Sequence, residues 1–277
     1  MIILLDVITT AAILFVVAAG LLAIFGVLKI INFAHGAWLT VGGYCAVVTT
    51  AWGLSPWFAL PFAFMVGAAL GALTELFIVR PLYRRPLDAI LATWGLSIVI
   101  GQLITLWFGR DMQMIPNLLS GTIDFFGISY SVYRLFTIVA ALVIGLTFAF
   151  LLDGTRLGLS ARAVIMNETL ARALGIDTAK VRLATFMIGT GIAGLAGVLL
   201  TPLTSVDPNM GVGWLIGAFM LVMVAGSSFA ALAFACLVFG GAQVLVSTFV
   251  SPIFGSITVA VLCALVLRVS PKGFARE

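Results

Sequence analysis

From Ile3 to Leu28 the chain reads ILLDVITTAAILFVVAAGLLAIFGVL, an apolar run whose one charged residue is Asp6. About 20 such residues in a helix cover the roughly 30 Å of hydrocarbon in a bilayer, and only a helix satisfies its own backbone polar groups there. No basic residue precedes the run and no convincing cleavage site follows it, so it reads as a retained span rather than a secretory signal. Similar apolar segments follow at 34–52, 57–79, 89–108, 135–152, 183–206, 212–226, 229–250 and 253–268. The segment 212–226 is short and is expected to be re-entrant or a half-span. Together they predict an all-α integral membrane protein, a polytopic transmembrane helix bundle of 8–9 spans forming one domain over 1–277.

Composition points the same way. Of 277 residues, 63% are hydrophobic and 9% charged, against about 25% charged in soluble domains. The formal net charge of +4 is spread thinly between apolar runs rather than gathered on one face, which excludes a nucleic-acid partner and leaves the lipid bilayer. Twelve of the 14 Lys and Arg residues fall in 29–33, 80–88, 153–182 and 268–277; only Arg110 and Arg134 lie in the alternate connections. The positive-inside rule makes the four basic segments cytoplasmic. With nine spans the N-terminus is outside and the C-terminus inside, as expected for a multi-pass protein of the cell inner (cytoplasmic) membrane.

Catalytic and cofactor motifs are missing or misplaced. Cys45, Cys236 and Cys263 are isolated in apolar runs, without metal or redox spacing. Gly189-Thr190-Gly191-Ile192-Ala193-Gly194 fits a dinucleotide pattern, but it lies inside a span and follows no strand, so it reads as helix packing. No lysine stands in a phosphate-binding loop, His35 is the sole histidine, and no nucleophile elbow is present. The chain is therefore expected to be a non-enzyme that binds no cofactor itself, and any ATP-Mg chemistry belongs to another subunit.

The longest charged interruption, 153–182, holds a helix-start signal. Asn167 can cap, Glu168 suits the first turn, Leu170, Ala171 and Leu174 form an apolar face, and Gly175 can end the helix. So short a helix has little stability of its own and must dock, either along the membrane interface or on the other loops, or else into a groove on a partner.

Candidate pathway residues come from polar interruptions within spans. Around Lys29, Asn32, His35 and Gly36 polar or flexible positions break the apolar sequence; Asn32 and His35 either stitch a turn between spans or meet a solute at a broken helix. In the fourth span Thr93, Ser97, Gly101 and Thr105 recur every four residues, with Trp94 and Gln102 nearby, a stripe equally suited to helix packing or to hydrogen-bonding a passing solute. Glu75 is expected to pair structurally with the basic loop at 80–85. The segment 109–134, with Asp111 and Asp124, reads as a solvated linker or as a landing surface for a soluble protein.

Several of these residues carry a family resemblance. Glu168-Thr169-Leu170-Ala171-Arg172-Ala173-Leu174-Gly175 resembles the Glu-Ala-Ala-x-x-x-Gly loop of ABC importer permeases, keeping its Glu and Gly. Ile31-Asn32-Phe33-Ala34-His35-Gly36 resembles the signature of branched-chain amino acid and urea/amide permeases, and Arg85-Pro86-Leu87 through Ser97 is similar to the urea-type branch. The chain departs from that family at Ala225-Gly226-Ser227-Ser228-Phe229, where Gly-Gly-x-Gly-Ser is common. The resemblance implies a permease subunit moving a small polar nutrient by alternating access. Its implied partners are ABC ATPase subunits that carry ATP-Mg and receive the helix from Asn167 to Gly175, a second homologous permease, and an extracytoplasmic solute-binding protein. The sparsely charged spans lean towards a small neutral solute. An ion- or proton-coupled secondary transporter is the alternative, and it calls for an ionisable group deep in a span.

Overall fold

The computed structural model describes residues 2–125, 128–270 and 273–274. Helix α1 (Ile2–Leu28) ends where Lys29 takes the left-handed conformation, φ 54°, and α2 (His35–Ala51) begins after the irregular segment 29–34. A 3-10 turn at Pro56–Phe58 leads into α3 (Ala59–Thr74), which a π turn (Glu75–Val79) and a second 3-10 turn (Arg80–Leu82) extend into one rod, Pro56–Leu82. Helix α4 (Pro86–Phe108) starts on a proline, whose missing N–H costs nothing in a first turn, and stops at Gly109 with φ 82°. A hairpin, β1 (Thr122–Phe125) paired antiparallel with β2 (Ile128–Ser131), precedes α5 (Val132–Gly154). Then follow α6 (Arg156–Met166), α7 (Glu168–Ala173), α8 (Thr178–Leu200), α9 (Met210–Ala225), α10 (Phe229–Phe249) and α11 (Pro252–Val269).

Six helices among the described residues are long and apolar enough to cross a membrane, and α2, α9 and α11 are shorter apolar helices beside them. The expected all-α polytopic architecture is thus present, apart from one small hairpin in the stretch read as a linker. Two boundaries differ from expectation. The sixth apolar segment, expected at 183–206, is helical from Thr178 to Leu200, because the backbone turns at Thr201–Ser205 while hydropathy continues. The basic segment 153–182 holds two helices, since Thr155 accepts from the Gly158 N–H at 3.2 Å and starts α6 ahead of the expected one.

Helices α1 and α8 form the centre. Their most apolar windows are 89% and 72% buried, against 17% for α4 and α5, which face outward with α10 and α11. Between helices in lipid, hydrophobicity supplies no drive, so close backbone approach must. The small residues of α8 provide it: a Cβ added to Gly42 would fall 2.0 Å from the Gly194 carbonyl oxygen, and one on Gly197 would fall 2.0 Å from that of Leu39. The dinucleotide-like glycine pattern is a helix-packing seam.

The two ends of the bundle differ chemically. At one, Asp6 accepts from Arg134 at 2.8 Å and from the Tyr130 O–H at 3.1 Å, tying the hairpin to the start of α1. The other end collects α6, α7, the start of α8 and the turn after α3, with their arginines.

Candidate functional site

At the basic end, α7 is built as its residues require. Asn167, in extended conformation, accepts from the Leu170 N–H at 3.0 Å through Oδ1, and Gly175 takes φ 86° as the chain turns out of the helix. Glu168 pairs with Arg172 one turn on, at 3.0 Å, and with Arg182 of α8. The apolar face expected from Leu170, Ala171 and Leu174 divides. Ala171 is 2% exposed in a cluster with Ile24, Leu28, Val79, Ala89 and Phe186, while Leu170 and Leu174 are 56% and 72% exposed. Leu170 and Leu174 stand four residues apart on one side; Ala171 lies about 100° further round, where only a small side chain fits against the bundle. Glu168 is consequently a fastener to α8, and the outward surface is Leu170, Leu174 and the exposed Met166.

The connection from α7 to α8 is also capped. Asp177 accepts from the Lys180 N–H at 3.1 Å and pairs with the Lys180 ammonium at 3.2 Å. The Lys180 amide first, and its side chain second, hold the Asp177 carboxyl below its ordinary value of 3.8. A carboxyl lowered on folding stabilises fully above that ordinary value and loses its effect as pH falls through the lowered one. Asp177→Asn, which caps without titrating, is expected to remove the acid sensitivity of this helix start. Protection of the Lys180 and Val181 amides from hydrogen exchange, compared at about pH 6 and about pH 3, measures it.

Glu75 makes the expected structural pair. Arg80 grips its carboxylate with Nε at 3.2 Å and Nη2 at 3.1 Å, and the Tyr83 O–H donates to the same group. Burial, then the bond to Glu75, push the Tyr83 phenol above its ordinary value, so it stays a donor.

The break between α1 and α2 penetrates the bundle. His35 Nε2 lies 2.8 Å from the Val17 carbonyl oxygen, and Val17 precedes Leu28 by eleven residues, about 16 Å of helix. The segment 29–34 therefore climbs back along α1, and α2 starts at depth. Asn32 is buried, with its Oδ1 accepting from the Ala34 N–H at 3.1 Å. Helix α9 starts beside it: the Gly211 N–H donates to Thr40 at 3.2 Å, and a Cβ on Gly211 would meet the Gly36 carbonyl oxygen at 1.8 Å. Two helix N-termini thus meet inside the bundle, one from each broken pair (α1–α2 and α8–α9).

Helix α4 lies along this junction. Thr93 is buried and accepts from the Phe33 N–H at 3.2 Å, while a Cβ on Gly101 would lie 3.7 Å from the Pro208 carbonyl oxygen. Ser97, half-buried, stands one turn between them. Asn32, His35, Thr93 and Ser97 therefore belong to one region. Trp94 and Gln102 do not: they stand about 100° and 180° around α4 from Thr93 and are exposed on its outer side. Sequence reading placed α9 at 212–226 as a re-entrant segment or half-span but did not mark its start as part of the candidate site, for which Asp207-Pro208-Asn209 ahead of a glycine was the available turn signal. It also missed Arg182, which no local pattern marks.

A family described as branched-chain amino acid transport system / permease component matches residues 3–269. The probable branched-chain amino acid transport permease protein LivH of Methanocaldococcus jannaschii is 30% identical over 227 residues, 77% of this chain and 70% of the relative. The high-affinity branched-chain amino acid transport system permease protein LivH of Escherichia coli K12 is 28% identical over 275 residues, 93% of this chain and 89% of the relative. A chain in the solved structure of PsaBC from Streptococcus pneumoniae in complex with Fab superposes with a TM-score of 0.55. It is 15% identical over 98% of this chain and 93% of that one, a likeness of fold alone.

Proposed function

The chain belongs to the branched-chain amino acid transport system permease family, and from that premise we propose that it is the membrane-spanning subunit of an ATP-driven importer of branched-chain amino acids. The observation that carries the mechanism is α7: a capped helix at the basic end of the bundle, fastened from behind by Glu168 and Ala171, with Leu170 and Leu174 turned outward. Such a surface suits a groove on an ATPase subunit carrying ATP-Mg. The opposite end, with the hairpin of β1 and β2, is left for a solute-binding protein, and a second permease completes the pathway. Counting α2, α9 and α11 with the six long helices gives the nine crossings, α2 and α9 being partial. Transport then follows alternating access, with ATP favouring one of two bundle states by its differential affinity.

A zwitterionic amino acid needs its carboxylate compensated. The N-termini of α2 and α9, meeting at depth, carry partial positive charge without a side-chain cation. Asn32, His35, Thr93 and Ser97 line that junction and are the proposed solute-contacting set. The test is a reconstituted importer of this chain, its companion permease, ATPase subunits and binding protein. Leucine accumulation is expected only with ATP and binding protein both present. Accumulation driven by an ion gradient without ATP overturns the reading, and transport of urea but not leucine moves the substrate to the amide branch.

A further inference from the structure

Behind α7, polar side chains connect the outward helix to the buried end of the α3 rod. Glu168 Oε2 accepts from Arg182 Nη2, and the Arg182 side chain is only 15% exposed. Its guanidinium carbon lies 4.2 Å from the centroid of the Tyr83 ring, inside cation–π range. The Tyr83 O–H donates to Glu75, which Arg80 holds from the other side with two bonds. Glu75 has no exposed surface and opens the π turn Glu75–Val79.

Glu75 and the π turn it opens are unusual choices for stability alone. A buried carboxylate must be paired at every lone pair to offset its desolvation, and an apolar residue would continue α3 more simply. A single π turn inside a helix is most often found where function requires it. Position supplies the rest: α4 meets the rod through the turns at Glu75–Leu82, so a displacement of those turns passes to α4, which holds Thr93 against the broken segment 29–34.

We propose that Arg182 and Tyr83 are the transmission contact of this transporter, handing motion of α7 to Glu75 and thereby to α3 and α4. Arg182 is bonded to α7 on one side and stacked on Tyr83 on the other, so a shift of α7 either breaks its bond to Arg182 or draws the guanidinium across the Tyr83 ring. Both are positioning residues, and neither touches solute or nucleotide. The proposal rests on α7 being the ATPase-coupling helix.

The test measures ATP hydrolysis and leucine uptake together in the reconstituted importer. Tyr83→Leu removes ring and hydroxyl; uptake per ATP is expected to fall about tenfold while hydrolysis stays within about twofold and the subunits still co-purify. Tyr83→Phe keeps the ring over Arg182 and loses only the bond to Glu75, with an expected loss of about threefold. An unchanged uptake per ATP in Tyr83→Leu overturns the proposal, as does a proportional fall of both activities, which marks a merely structural contact. Should Tyr83→Leu fail to assemble, Tyr83→Phe decides alone by the same ratio. Uptake by the wild-type vesicles without ATP fails the coupling reading itself, a result visible before any variant is made.

Discussion

Leu170→Asp is expected to cut ATP-driven uptake about thirtyfold or more, with the protein inserted and produced at its normal level. Leu170 is more than half exposed on α7, and burying such a side chain in a partner groove contributes about 1.5–3 kcal/mol. Aspartate forfeits that and adds an unpaired charge to the contact, whose desolvation makes the loss larger. Within this chain the same change is nearly neutral: exposed substitutions cost within about 0.5 kcal/mol, and an acidic residue in a helix's first turn meets the positive end of its dipole. Asn167 still caps, and Ala171 still seats α7 on the bundle. The measurement is affinity of the purified ATPase subunits for the permease pair, with uptake alongside. Wild-type affinity in Leu170→Asp would place the docking surface elsewhere. Ala171→Asp is the informative contrast, because it puts the charge into the cluster with Ile24, Val79 and Phe186 and attacks folding instead.

How far the sequence was legible follows from the range of the interactions involved. Helix ends set by neighbours along the chain were readable: Asn167 and Gly175 bracket α7, and the cap and turn chemistry needs nothing more distant than four residues. The small-residue seam of α8 was readable too, since Gly189, Ala193 and Gly197 share a face whatever packs on it. A broken helix near Asn32 and His35 and a re-entrant or half-span at 212–226 were expected from local polarity and length. What meets at depth was not legible: His35 reaching Val17 and Gly36 meeting Gly211 are contacts between residues distant in sequence that hydropathy cannot register. The stretch Thr201-Pro202-Leu203 misled for the related reason that it is apolar enough to extend a span although its backbone turns. Of the candidate site, Asn32, His35, Thr93 and Ser97 stood out in the sequence because a polar group in an apolar run is conspicuous, and the structure brings these four into one region. Arg182 was hidden among other basic loop residues, and only its burial between Glu168 and Tyr83 distinguishes it.

Gly197→Val is expected to prevent formation of the native bundle. The added Cβ would stand 2.0 Å from the Leu39 carbonyl oxygen and 2.8 Å from the Gly43 nitrogen, and both are helix backbone atoms with no rotamer to escape into. Relief requires α2 to move bodily away from α8, yet α2 is pinned at its start by His35 on Val17 and by Thr40 on the Gly211 N–H. Overpacking of a relaxed core costs about 1–3 kcal/mol; a backbone clash in a pinned helix pair exceeds that, a large share of the roughly 5–15 kcal/mol that separates folded from unfolded states. The expected result is loss of monodisperse protein after extraction, or a thermal transition lowered by about 10 °C or more in whatever is recovered. Gly213→Ala is the control. It lies in the same class of small helix residue, but a Cβ there meets nothing within 4 Å, so it should leave the transition unchanged or raise it slightly through the better helix propensity of alanine. A Gly197→Val protein that unfolds at the wild-type temperature would mean that α2 and α8 do not approach through Leu39 and Gly197, and with that the placement of α2 and its buried start would have to be redrawn.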